Sequence, residues 1–260
     1  PIMAASLLTN KRLTISNIPF LSDIESMIKL LQSLNVRIKR SGNSLSLISS
    51  KPNSLSASYD LVRKMRASFL ILGPLIARYG KASVSLPGGC AIGTRPVNLH
   101  IEGLRQMGVN FEIENGYVSG KINGSLRGAE IKLEKVSVGA TENLILAATL
   151  ARGKTIIKNA AREPEISDLC NMLIKMGAEI NGVGTKKIII KGKKKLEGCT
   201  YKIMPDRIES GTFVLCVFGC TGTVLLKNLN MEVCNHLTKI FKKLIPLELK
   251  ILKEGRNLLV

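Results

Sequence analysis

A single thiol, Cys90, stands in the segment 87–96 among residues too small to bury it. Three glycines between positions 88 and 93 allow a tight turn close to a ligand and leave backbone amides exposed. A thiol has a pKa of about 8.5 in water, and a neighbouring cation such as Arg95 favours the thiolate. The pattern predicts an accessible loop in which Cys90 acts as an acid or a nucleophile. The alternative is a glycine turn that carries an incidental cysteine.

The sequence around this loop resembles the UDP-N-acetylglucosamine enolpyruvyl transferase family. The resemblance continues through residues 97–100 and covers nearly the whole chain, since four more segments follow the family's order: 64–68, 135–141, 161–165 and 205–209. It implies transfer of the enolpyruvyl group of phosphoenolpyruvate to the sugar 3-hydroxyl of UDP-N-acetylglucosamine. A tetrahedral addition intermediate would form and then lose phosphate. In the family this reaction is the first committed step of bacterial peptidoglycan synthesis.

The resemblance also implies roles for individual residues. Cys90 would be the acid that protonates the enolpyruvate methylene group. Arg66 would reach the sugar nucleotide or phosphoenolpyruvate, because a guanidinium holds a phosphate or a carboxylate with two hydrogen bonds; the alternative is an arginine on a helix surface. The uridine-binding segment would be formed by Arg95, Pro96, Val97, Asn98 and Leu99. The family usually has aspartate where this chain has Asn98, so contacts with uracil are expected to differ there.

A second binding segment precedes a predicted helix from Ala140. It consists of Lys135, Val136, Ser137 and Val138, and the resemblance assigns it to the diphosphate of the nucleotide. The free amides at a helix N-terminus favour an anion, which fits this role. Taken alone, the same residues would be an ordinary turn from a strand into a helix. His100 is interpreted as a structural or orienting residue.

Composition limits the classes of protein and of site. A chain of 260 residues with 45% hydrophobic content fits one or two globular domains. Six cysteines without paired CxxC spacing and only two histidines argue against a zinc site, and neither a metal nor a cofactor is expected. Cys216 and Cys220 lie four residues apart in an apolar run and are predicted to be buried core thiols.

The formal net charge of +19 favours a polyanionic partner such as nucleic acid. The basic residues are nevertheless spread along the chain, and an aromatic content of 4% without tryptophan gives little surface for stacking bases. A solvated, lysine-rich surface is the preferred interpretation, with no nucleic-acid partner. No apolar run reaches the ~18 residues that would span a bilayer, and the first residues do not resemble a signal peptide. The expectation is a cytoplasmic protein without a membrane partner.

Four segments repeat one pattern at a spacing of about 70 residues. Each is an amphipathic helix pattern that leads into two short strands joined by a turn, and another strand precedes it. The helix-to-strand segments are 24–36, 99–111, 166–180 and 233–247, and the preceding strands are 13–16, 82–86, 155–158 and 223–226. The connecting helices, predicted at 59–78, 140–151 and 208–218, are almost wholly apolar and should be buried between sheets.

The resemblance implies an α/β enolpyruvyl transferase fold, an inside-out α/β barrel of two pseudo-threefold domains with three such units each. Residues 1–204 would form the first domain, whose first unit lacks its opening strand. Residues 205–260 would form one unit of an incomplete second domain. A lysine-asparagine pair that grips phosphoenolpyruvate is expected upstream of Pro1, and an aspartate base beyond Val260.

Several explanations of this truncated pattern stay open. The chain could be a fragment of a normal enzyme, one half of a split gene whose missing units come from a second chain, or the product of a decayed gene. A non-catalytic remnant that binds the sugar nucleotide is an alternative function. A shikimate-pathway enolpyruvyl transferase or an RNA-end cyclase is disfavoured, since neither matches the loop around Cys90 so closely.

Overall fold

The structure, a computed structural model, describes residues 1–62, 65–86, 97–219, 223–227, 229, 235, 239, 252–254 and 257–259. The predicted site residues Cys90, Arg95 and Pro96 therefore lie outside the described residues. The chain divides into two compact units, Pro1–Lys202 and Ile203–Val260.

Three four-stranded sheets of one design form the first unit. Each sheet contains an opening strand, which is the strand that precedes the helix of that sheet in the chain. A short strand from another repeat, called the leading strand here, pairs in parallel with the opening strand. A hairpin supplies the other two strands, and its second strand pairs antiparallel with the opening strand. The sheet orders are β12-β1-β3-β2, β4-β5-β7-β6 and β8-β9-β11-β10. The strands are β1 Leu13–Ser16, β2 Val36–Ser41, β3 Ser44–Ser49, β4 Ser56–Ala57, β5 Lys81–Ser85, β6 Asn110–Glu114, β7 Tyr117–Lys121, β8 Glu130–Lys132, β9 Lys154–Lys158, β10 Glu179–Asn181, β11 Lys187–Lys191 and β12 Thr200–Lys202.

The last strand of this unit completes its first sheet. β12 pairs in parallel with β1, with Thr14 opposite Thr200. The sequence predicts an incomplete first repeat, but its sheet has four strands, since its opening strand β1 is present and its leading strand comes from the end of the third repeat. The leading strands β4, β8 and β12 contain only two or three residues each, which is too short to give a strand pattern in the sequence.

One helix lies between the opening strand and the hairpin of each sheet, and further helices fill the space between sheets. The sheet helices are α1 Ser22–Ser33, α4 Asn98–Gln106 and α6 Pro164–Lys175; the others are α2 Tyr59–Val62, α3 Leu72–Tyr79, α5 Val138–Ala148 and two 3-10 segments, Ala4–Leu8 and Arg66–Ile71. α5 is buried from Ala140 to its end and packs against α3, α4 and α6, as the apolar pattern predicts.

The connecting helix predicted at 59–78 is interrupted. α2 ends at Val62, a 3-10 segment covers Arg66–Ile71, and α3 begins at Leu72. Pro74 has no amide hydrogen to donate to the carbonyl of Leu70, so it fits the first turn of a helix better than the interior of a longer one. The Ser68 hydroxyl also donates to the carbonyls of Val62 and Met65, which favours a local turn over a regular helix.

The second unit contains helix α7, Arg207–Gly219, and a three-stranded sheet with the order β13-β15-β14. Its strands are β13 Leu225–Leu226, β14 Leu252–Glu254 and β15 Asn257–Leu259. The prediction that this helix is buried is wrong for much of its surface, since Ile208, Phe213 and Leu215 are 61%, 51% and 52% exposed. An apolar sequence pattern indicates that a helix can be buried, but burial also requires another element that packs against it.

The predicted burial of Cys216 is wrong for the same reason: its thiol lies on the exposed part of α7. Cys220 lies outside the described residues. None of the helices in the described part of the chain combines the length and the hydropathy that crossing a bilayer requires.

Candidate active site

The described site residues lie at the beginnings of three helical segments. Arg66 is the first residue of the 3-10 segment Arg66–Ile71 and is exposed. Val97, Asn98 and Leu99 begin α4, where Val97 is the residue before the helix. Lys135, Val136, Ser137 and Val138 lead into α5. Each group therefore lies where backbone amides lack helical partners.

The start of α5 is a capped helix N-terminus. The Ala140 amide donates to the Ser137 hydroxyl oxygen at 3.3 Å, so Ser137 is the N-cap. The helix begins at Val138, two residues earlier than predicted. Lys135 and Val136 are exposed, whereas Ser137 and Val138 are half-buried. A positive helix end, a hydroxyl and a nearby ammonium group together favour a bound anion.

A groove connects the start of α4 with the segment that leads to α5. It has a volume of about 320 Å³, and Asn98 and Leu99 line it together with Leu133 and Glu134. Glu134 directly precedes Lys135 in the chain. The rest of its lining lies further along α4 and on β6 and β8, so the sequence-assigned residues that line the groove are Asn98 and Leu99, and the groove ends beside Lys135.

A buried amide side chain joins the three helical segments. Asn143, on α5, is fully buried; its Oδ1 accepts from the Gly73 amide at 2.8 Å, and its Nδ2 donates to the Phe69 carbonyl at 3.2 Å. The same Nδ2 lies 3.1 Å from Nδ1 of His100, on α4. The ring of Phe69 meets the His100 ring edge-on, with a centroid separation of 5.2 Å. The elements that carry Arg66, Asn98 and Val138 therefore meet at one hydrogen-bonded junction.

The environment keeps His100 neutral. The side chain is 4% exposed, and burial lowers the pKa of its imidazole to about 4, with a smaller contribution from the positive charge of Arg66. An imidazole in this environment carries no charge near neutral pH. This buried position agrees with the structural alternative of the two roles, structural or orienting, that the sequence predicts for His100.

Sequence analysis missed a buried carboxyl group beside Asn143. Glu142 is 5% exposed, and burial raises the pKa of its carboxyl to about 7. Smaller electrostatic effects follow: the like charges of Glu165 and Glu163 raise this pKa, and the positive charge of Arg66 lowers it. The available signal was the polar triplet 141–143 inside an otherwise apolar helix.

The two more buried thiols among the described residues have raised pKa values, whereas a reactive cysteine has a lowered one. Burial raises the pKa of the buried Cys170 thiol to about 12, and it also raises the pKa of the half-buried Cys199 thiol. Both thiols are thus held in the protonated form, which is a poor nucleophile. Within the described residues, no group of three or more His, Cys, Asp and Glu side chains is arranged to hold a metal ion.

One protein-family model matches nearly the entire chain. Residues 1–259 match the family model described as EPSP synthase (3-phosphoshikimate 1-carboxyvinyltransferase). Two curated relatives carry the name UDP-N-acetylglucosamine 1-carboxyvinyltransferase. The protein from Shewanella amazonensis is 50% identical over 228 residues, which is 88% of this chain and 54% of the relative. The protein from Cellvibrio japonicus is 48% identical over 234 residues, which is 90% of this chain and 56% of the relative. The chain thus spans about half the length of the curated relatives it matches.

Solved structures share the fold at low sequence identity. The enolpyruvyl transferase NikO from Streptomyces tendae superposes with a TM-score of 0.86 at 17% identity, covering 99% of this chain and 61% of that one. EPSP synthase from Acinetobacter baumannii gives a TM-score of 0.71 at 19% identity, with the same coverage. The architecture implied by the sequence resemblance, an enolpyruvyl transferase fold built from repeated α/β units, is confirmed.

Proposed function

The chain belongs to the EPSP synthase family of carboxyvinyl transferases, and from that premise we propose that it transfers the enolpyruvyl group of phosphoenolpyruvate to the 3-hydroxyl of UDP-N-acetylglucosamine. One observation carries the choice of acceptor. Relatives named for the sugar nucleotide are about 50% identical over nearly nine-tenths of the chain, whereas the solved EPSP synthase is 19% identical. The reaction would supply a peptidoglycan precursor in the cytoplasm.

The proposed chemistry divides between one acid and several anion-binding groups. The thiol of Cys90 gives its proton to the methylene carbon of phosphoenolpyruvate. The sugar 3-hydroxyl oxygen bonds to the adjacent carbon and passes its proton to the aspartate base expected beyond Val260, which forms a tetrahedral intermediate. The Cys90 thiolate then takes back a proton from the new methyl group as phosphate departs, which restores the double bond. Arg66 holds a phosphate or carboxylate group and stabilises the charge that develops during addition.

The nucleotide is proposed to bind at the starts of α4 and α5. Arg95, Pro96, Val97, Asn98 and Leu99 would frame the uridine, and Lys135, Val136, Ser137 and Val138 would bind the diphosphate. Three observations support this assignment: the capped N-terminus of α5, the groove that links Leu99 with Glu134, and the hydrogen-bonded junction that joins the two helices. The partners are then UDP-N-acetylglucosamine, phosphoenolpyruvate and, in a split enzyme, a second chain that supplies further units.

Phosphate release is the direct test. The chain, completed with the units that carry the expected lysine-asparagine pair and aspartate base, is incubated with phosphoenolpyruvate and either UDP-N-acetylglucosamine or shikimate 3-phosphate. We expect release only with the sugar nucleotide, complete loss in Cys90→Ala, and residual activity in Cys90→Asp because a carboxylic acid still delivers a proton. Cys216→Ala, which removes an exposed thiol from the second unit, is the matched control and should retain full activity.

A second candidate function is binding of the sugar nucleotide without turnover. It requires only the binding residues at the starts of α4 and α5, which the structure joins through His100 and Asn143. Saturable binding of UDP-N-acetylglucosamine without phosphate release would select this function. Release that depends on shikimate 3-phosphate would overturn the proposed acceptor, and equal rates in the two Cys90 variants would overturn the acid role.

A further inference from the structure

The orientation of the Asn143 amide is fixed by its neighbours. The Gly73 amide can only donate, so the atom it meets at 2.8 Å must be the acceptor Oδ1. The Nδ2 group then faces two acceptors, the Phe69 carbonyl at 3.2 Å and Nδ1 of His100 at 3.1 Å. Because Nδ1 accepts this hydrogen bond, the proton of the neutral imidazole lies on Nε2.

The His100 ring also determines how closely α4 approaches α5. A Cβ atom placed on Gly139 would lie 3.3 Å from Cε1 and 3.4 Å from Nε2 of His100, so the ring lies directly against this glycine. Gly139 is the second residue of α5 and follows Val138. His100 is the third residue of α4 and follows Leu99. The first turns of the two helices are therefore held together by one imidazole ring.

We propose that His100 is a positioning residue, which Asn143 holds in its Nε2–H form so that the N-terminal turns of α4 and α5 together make one preformed surface for a nucleoside diphosphate. This inference rests on the proposed function, since it takes the ligand from there. The role is positional because the ring contacts Asn143, Phe69 and Gly139 and is 4% exposed, so it does not depend on proton exchange with a ligand.

Two substitutions separate the parts of this junction. His100→Phe keeps an aromatic ring against Phe69 and Gly139 but removes the acceptor for Asn143. Asn143→Asp keeps the acceptor for the Gly73 amide, but it places a carboxylate oxygen opposite His100 Nδ1 and so favours a proton on that nitrogen. Thr149→Val is the matched control, because it removes a buried hydroxyl that donates to Leu146 at the other end of α5.

Nitrogen-15 NMR of the imidazole rings tests the junction without any ligand. The chain has only two histidines, so His100→Phe assigns both signals by difference. We expect the Nε2–H form for His100 in the unaltered chain and a proton on Nδ1 in Asn143→Asp. A proton on Nδ1 in the unaltered chain would overturn the inference.

Calorimetric titration with UDP-N-acetylglucosamine tests the consequence for binding, at a temperature where circular dichroism shows every variant to be folded. If the competent arrangement falls to about a tenth of the molecules, the dissociation constant rises about tenfold. We expect such a rise in both His100→Phe and Asn143→Asp and none in Thr149→Val. An unchanged affinity in both junction variants would overturn the positioning role. An unaltered chain that does not bind at all would overturn the proposed function instead, and the NMR result would still decide the junction.

Discussion

At the scale of single residues, the candidate site depends on two buried titratable groups with opposite pKa shifts. His100 has a lowered pKa of about 4, and Glu142 has a raised pKa of about 7. His100 is therefore uncharged near neutral pH, whereas Glu142 is about half protonated there. Protonation of Glu142 leaves the positive charge of Arg66 available to an anionic ligand, because a buried carboxylate would compete for it.

Glu142→Gln should stabilise the fold at alkaline pH. The folded carboxyl binds its proton more tightly than the unfolded one, so ionisation destabilises the folded state progressively as pH rises from about 4.5 to about 7. Glutamine removes this effect, and the free energy of unfolding should increase by up to about 3 kcal/mol at pH above ~8, with little change near pH 4. Urea denaturation at several pH values measures the difference. Parallel pH profiles for the two proteins would contradict the burial of an ionisable Glu142.

The sequence predicts part of this site and misses the rest for a physical reason. A structural position for His100 and a helix N-terminus close to Ser137 were both accessible from the sequence. Asn143 and Glu142 were not, because the periodicity of residues 140–151 indicates only a buried helix. A polar side chain on α5 has a hydrogen-bond partner only where α3 or α4 packs against it. This packing is a tertiary contact, and the local sequence pattern does not show it.

At the scale of elements, the close approach of α3 and α5 depends on a glycine. A Cβ atom on Gly73 would lie 2.4 Å from Oδ1 and 2.6 Å from the carbonyl oxygen of Asn143. Replacement of glycine by alanine in a helix interior usually gains about 1 kcal/mol. In Gly73→Ala we expect a loss of ~1–3 kcal/mol instead, because the two helices must move apart. Denaturant unfolding measures the sign directly, and a neutral or stabilising result would contradict the described packing.

The third sheet carries a row of like charges across three strands. Lys132 lies opposite Lys158, and Lys158 lies opposite Lys187. Neighbouring strands are ~4.8 Å apart and directly opposed like charges destabilise a sheet. Glu130 forms an ion pair with Lys158, and this pair lowers the pKa of the glutamate.

Lys187→Thr should relieve this repulsion in the third sheet. We expect a gain of ~0.5 kcal/mol in the free energy of unfolding at low ionic strength, because threonine also suits a strand. The gain should shrink at ~1 M salt, where screening reaches ~3 Å. Thermal unfolding at two salt concentrations measures both values, and a gain that does not depend on salt would exclude the electrostatic explanation.

The repeat pattern illustrates what can be predicted about elements. The opening strand Leu13–Ser16 has the predicted bounds, the second opening strand is displaced by one residue at each end, and the third begins one residue earlier than predicted. The alternation of apolar residues in strands and their periodicity in helices are local patterns, so both can be recognised in the sequence. The parallel pairing of β12 with β1 joins residues nearly 190 positions apart, and no local pattern encodes such a pairing.

At the scale of the whole molecule, the first unit contains three similar sheets, each completed by a short parallel strand from another repeat, and the described candidate ligand-binding residues lie at helix starts. α7 in the second unit exposes apolar side chains such as Phe213. Its sequence predicts a buried helix, but burial requires a covering surface. The strands and helices of the first unit thus agree with the pattern of its sequence, whereas α7 is apolar in sequence but partly exposed among the described residues.

The most direct test of the central claim is a calorimetric titration of the 260-residue chain with UDP-N-acetylglucosamine, with shikimate 3-phosphate as the competing candidate. The account predicts one saturable site for the sugar nucleotide and no binding of shikimate 3-phosphate. Substitution of Ser137 by alanine should weaken the sugar-nucleotide site, since the hydroxyl caps the helix that is proposed to hold the diphosphate. Binding of shikimate 3-phosphate in the absence of any binding of UDP-N-acetylglucosamine would contradict the account.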